Sequence, residues 1–172
     1  RNQLGAQSIR LSKTGDRVLF GFEPFGQNPA LFSLPDARIT LNPSANKTLM
    51  GPITEAKGMD ITDWQDNDAP KLNGNPLALK QYEWSRSLAI SPDGSHFLLG
   101  AEWSLHCFDS KGKEAWRADV TGVACSVNNS DDGRIAVAGL ADGTLRWYRM
   151  TDGKELLALF VDKGISAAPV VD

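Results

Sequence analysis

The chain has 172 residues, a mass of 18.6 kDa and a formal net charge of −3, from 18 Lys+Arg against 21 Asp+Glu. Its uncharged runs are broken by Gly, Pro, Asn or Ser well short of the roughly 18 apolar residues a membrane-spanning helix needs, so a membrane partner is not expected. A pI near 5.4 gives no basic footprint for nucleic acid, and two cysteines, two histidines and no CxxC pair give no zinc spacing and no disulfide framework.

In chain order, the stretch from Leu11 to Gly21 carries a turn signal at Thr14-Gly15-Asp16 followed by the apolar run Val18-Leu19-Phe20. The stretch from 45 to 83 is less regular, with Met59 to Trp64, an Asn73-Gly74 turn and Pro76 to Leu79. From 86 onward the pattern sharpens into short apolar runs separated by turn residues, with no helical periodicity over a long window. The spacing predicts strands over 86–91, 96–102, 104–109 and 114–120, then 124–128, 134–140, 144–149 and 155–161. Their linkers Asp93-Gly94, Asp132-Gly133 and Asp142-Gly143 supply the turn chemistry.

These strands repeat. The run from Leu88 to Gly100 superposes on Val127 to Gly139 at an offset of 39, with Ser, Asp-Gly, the apolar run and the closing Gly coinciding. A slip of two brings Gly112-Lys113-Glu114 onto Gly153-Lys154-Glu155, which points to a short insertion in one turn. The Leu11 to Gly21 stretch matches Ile90 to Gly100 at 79, close to two repeats, so a degenerate unit is expected between them. The fold class expected is all-β, with propeller blades of four antiparallel strands in units of roughly 1–43, 44–83, 84–122 and 123–163 and a tail at 164–172.

The Ser-Pro-Asp-Gly turn at 91–94, the apolar strand ending in Gly100, the Asp142-Gly143 hairpin before Leu145-Arg146-Trp147-Tyr148, and the Gly-Lys-Glu turns resemble WD40 repeats. The likeness covers 86–161 well and 8–41 fairly. The pair that names the family appears only as Phe108-Asp109 and Trp147-Tyr148. The wording of the two good units is most similar to bacterial WD40 segments that accompany a caspase-like peptidase domain, which implies a role in sensing or positioning with cleavage residing elsewhere.

Four units are fewer than the usual ring of this family, and an open stack leaves apolar blade faces at its ends. A closed ring of four, a pairing of two chains, and a piece of a longer protein are the alternatives. The start at Arg1 favours the last, with pairing as a consequence; for the small, apolar tail, an extra strand on a neighbouring blade and disorder are equal alternatives.

Candidate chemistry is sparse. His106 and Cys107 are adjacent on one strand and so point to opposite faces, which denies the thiol its base and makes Cys107 a core residue. The aspartates at 60, 63, 66 and 68 alternate as in a calcium loop, but Gln65 and Lys71 stand where that loop needs Gly and Glu. Asn46-Lys47-Thr48 and Asn128-Asn129-Ser130 fit the glycosylation pattern. Of the five tryptophans, most are read as blade packing, while Trp103, at a hairpin tip, is the one expected to be exposed. The function expected is therefore a non-catalytic propeller scaffold without cofactor or metal. It binds a protein partner, or its own copy or parent chain, through Trp103, Trp64 and Tyr82. The alternative is a small-molecule or enzymatic propeller with convergent polar groups in its central channel.

Overall fold

A computed structural model describes residues 9–21, 29–41, 43, 48–160 and the backbone of 166–168. Among the described residues every regular element is a strand. The first sheet is β1 (Arg10–Leu11), β2 (Arg17–Gly21), β3 (Pro29–Ser33) and β4 (Arg38–Leu41) in that order. The second is a small three-stranded sheet of β5 (Ile61–Thr62), β6 (Lys71–Leu72) and β7 (Asn75–Pro76). The third holds β8 (Ser85–Ile90), β9 (His96–Ala101), β10 (Ser104–Asp109) and β11 (Glu114–Asp119). The fourth holds β12 (Ala124–Asn129), β13 (Ile135–Leu140), β14 (Thr144–Arg149), β15 (Glu155–Phe160) and β16 (Ser166–Ala168). All neighbours pair antiparallel, as meanders with short turns require.

The third and fourth sheets are the repeat made visible. Register shifts fall at Ser85/Ser87 and Ala124/Ser126, and again at Cys107/Phe108 and Trp147/Tyr148. The offset grows in two steps. It is 39 between β9 and β13, 40 between β10 and β14, and 41 between β11 and β15. The slip is thus two single-residue insertions in two turns, which corrects the reading of one insertion in one turn.

The turn signature has a common mechanism. In the first, third and fourth sheets a serine opens the hairpin: its carbonyl accepts from the amide of a glycine three residues on, over 2.8 to 3.0 Å, in the pairs Ser12/Gly15, Ser91/Gly94 and Ser130/Gly133. Each serine Oγ also accepts the amide that opens the next strand, at 3.0 Å from Arg17, His96 and Ile135. A carboxylate then accepts the hydrogen bond of the serine hydroxyl: Asp93 at 2.7 Å, Asp132 at 2.7 Å and, displaced past the glycine, Asp16 at 2.5 Å. Those glycines sit at φ of +67 to +74°, where a Cβ is disfavoured.

Three apolar cores stack the sheets in the order second, third, fourth, first. Met59, Ile61, Leu72 and Leu77 meet Leu88, Phe97, Leu99 and Phe108. The other face of the third sheet, with Leu98, Leu105, Cys107 and Trp116, packs on Val127, Ala138, Leu140 and Tyr148. The remaining face of the fourth sheet, with Val137, Leu145, Trp147 and Leu159, is covered by Val18, Phe20, Ala30 and Phe32 of the first sheet. The face on which a further blade would have packed is thus covered by β2 and β3 of the same chain.

Around the axis the inner segments make a circuit. β8 lies beside β12 and β12 beside β1. Residues 50–53 complete it, for Met50 bridges to Leu11 and Ile53 to Ile90. The degenerate second unit therefore contributes an inner segment without the serine turn. The tail pairs through β16 with β15 of its own sheet, not with a neighbouring blade, correcting that expectation.

Candidate functional site

The third sheet carries a cluster of ionisable side chains around His106. His106, on β10, faces the second sheet as Phe108 does, its ring stacked at 5.7 Å on that of Phe108. Its Nε2 lies 3.0 Å from Glu83 Oε2 and its Nδ1 2.7 Å from Glu114 Oε1. The ring is thus held between two carboxylates, one on each nitrogen. His106 and Glu83 are fully buried. Burial alone raises the Glu83 carboxyl, but the hydrogen bond and charge of His106, with the amides of Trp103 and Lys80, hold it down at about 2.

That carboxylate organises the aromatic tip. Glu83 Oε1 accepts the Trp103 amide at 3.1 Å, and Oε2 the Lys80 amide at 3.2 Å. Tyr82 and Trp84 flank Glu83 in sequence, so three aromatic residues are tied to one buried group while their side chains stay 77%, 43% and 48% exposed for Tyr82, Trp84 and Trp103. The Arg86 guanidinium stands 5.4 Å over the Trp84 ring and is fixed by Asp66 and Glu102. Tyr82 holds a φ of +64°, an unfavourable backbone for an aromatic residue. Lys80 Nζ reaches Asp119 at 2.6 Å across the same end of the sheet.

Tyr82 and Trp103 are thus brought together through Glu83, whereas Trp64 lies apart, partly buried against the second sheet. Trp84, which the sequence does not single out, is exposed on the other side of Glu83; the signal is its place two residues from Tyr82 and beside a glutamate. Trp116 and Trp147 do pack, and each also ties one sheet to the next: Trp116 Nε1 donates to Met150 O at 2.6 Å and Trp147 Nε1 to Gly15 O at 2.9 Å. Asp142 accepts the Thr144 amide at 3.0 Å and Gly143 follows at φ +86°. Cys107 sits in the core, where burial pushes its thiol up to about 12, and burial raises Cys125 too.

Asn128 fills the axis, its Nδ2 donating to Ile9 O at 3.1 Å and to Met50 O at 2.9 Å. A buried, fully engaged amide is no glycosylation acceptor, and Asn46 lies outside the described residues. Two of the four loop aspartates are spent on ion pairs, Asp63 with Lys71 and Asp66 with Arg86. No group of three or more His, Cys, Asp or Glu able to hold a metal occurs among the described residues. No family model matches the chain, and no curated protein matches it.

Proposed function

We propose that the chain is a non-catalytic, WD40-like interaction module that binds a protein partner through the tip formed by Tyr82, Trp84 and Trp103. The observation that carries this is the pairing of exposed aromatic surface with a buried anchor: Glu83 and His106 are inaccessible, yet they fix the backbone from which all three rings project. Large aromatic side chains on a rigid support are the residues that dominate binding energy, because little conformational freedom remains to be lost on association. The partner is a polypeptide surface beyond the described residues, on another chain or on the parent chain; a peptidase domain of the kind the resemblance implies, carried in a longer protein, is one instance.

The test is affinity capture with the wild-type chain, W103A, and L156A, an exposed leucine on β15 of another sheet, with a melting temperature for each. A partner held by wild type and L156A and lost on W103A at unchanged melting temperature supports the reading. A partner held equally by W103A overturns it.

A further inference from the structure

A groove of about 480 Å³ lies beside the second sheet, where Thr54, Glu55, Met59, Asp60, Trp64 and Asn73 line it. Its wall is built firmly. Asn73 Oδ1 accepts the Asp60 amide at 2.9 Å, and Asn73 Nδ2 donates to Gly58 O at 3.1 Å, so one side chain staples both strands of the loop. Residues 54–68 carry five acidic side chains and a single lysine, Lys57, which is not part of the lining. Asp63 and Asp66 are already neutralised by Lys71 and Arg86. Glu55 and Asp60 have no cationic partner among the described residues, and both border the groove. Beside them stands the partly buried indole of Trp64, with Met59 as an apolar wall.

Two uncompensated carboxylates, an aromatic face and an apolar wall suit one kind of group, an organic cation on an aliphatic stem. The ring quadrupole attracts the cation, the carboxylates offset its charge, and the stem covers Met59. A planar guanidinium fits best, since it stacks on the indole while its N–H groups reach carboxylates at the edge. We infer that this groove receives an arginine side chain of the partner polypeptide. The identity of the occupant rests on the proposed interaction function; the cation chemistry of the groove does not.

The test is a titration of the 15N-labelled 172-residue chain with N-acetyl-arginine amide and with its neutral isostere N-acetyl-citrulline amide, read at the Trp64 indole N–H. Saturable movement of that resonance by the arginine derivative is expected. Binding should be at least about tenfold weaker for citrulline and for an E55Q/D60N chain whose remaining spectrum is unchanged. Equal response to citrulline, a response retained by E55Q/D60N, or an unmoved Trp64 resonance overturns the assignment. W103A keeps the Trp64 response, so loss of capture at the tip and loss of cation binding at the groove are read separately.

Discussion

Glu83 and His106, 23 residues apart in sequence, meet at 3.0 Å with neither side chain exposed. Removing one partner strands the other in a medium of low polarity. H106L is expected to lower the unfolding free energy by about 3–5 kcal/mol, and the double variant E83L/H106L to recover part of that loss. Denaturant melts of the three chains measure it. The same pair sets an acid limb. The Glu83 carboxyl is held at about 2 in the folded chain against 4.5 unperturbed, so its contribution is fully present above pH 4.5 and is lost as pH falls toward 2. Stability in that window should fall less steeply in H106L.

The serine turns make a second, independent contribution. In S91A the His96 amide loses its acceptor and Asp93 loses a hydroxyl donor, an expected cost of about 1 kcal/mol; S130A should cost a similar amount because Ile135 and Asp132 are placed alike. Asp93 is held at about 2 by the Ser95 amide and by the hydroxyls of Ser91 and Ser95, against 3.8 unperturbed. Its share of stability is therefore present above pH 3.8 and disappears as pH falls toward 2. Thermal melts of wild type and D93N across that range should converge at the acid end.

Gly100, which closes the repeat, has an inter-sheet role. A Cβ there would stand 2.6 Å from the Ala124 carbonyl oxygen and closer still to Ser87 Oγ, which itself donates to that oxygen at 2.7 Å. G100A must push β12 away from β9 and displace the Ser87 hydroxyl, and is expected to cost about 1–3 kcal/mol. At Gly51 nothing lies within 4 Å of the added atom, so G51A should stay within about 0.5 kcal/mol of wild type in the same denaturation assay.

The two tethering indoles lie in different cores. W147F removes the bond to Gly15 and W116F the bond to Met150, each expected to cost about 1–2 kcal/mol while most of the apolar packing remains. Because the first acts between the fourth and first sheets and the second between the third and fourth, the double variant should equal the sum of the singles. A marked departure would mean that the two cores do not respond separately.

What the sequence disclosed follows from how local each signal is. Ser91, Asp93 and Gly94 fix a turn within four residues, and the alternation in β10 and β14 places every side chain, so the third and fourth sheets were legible almost to the residue. Asn73-Gly74, at φ +50 and +79°, likewise announced the β6–β7 hairpin. Long-range pairings left no such trace. Nothing near Met50 foretells its bond to Leu11, and nothing near Val18 that it covers the fourth sheet. At the tip, His106 reads as a lone histidine because its carboxylates arrive from positions 83 and 114, and the exposure of Trp84 depends on the same fold-level arrangement.

The first sheet closes on the fourth sheet of the same chain, bringing the Asp132 amide to 3.1 Å from the Lys13 carbonyl. Nitroxide labels at the exposed positions Lys13 and Asp131, in a C125S background, read this directly through their dipolar coupling. A strong, short-range coupling that persists when labelled chain is diluted with unlabelled chain is the predicted result. A broad or long-range distribution, or a coupling that disappears on such dilution, would contradict it.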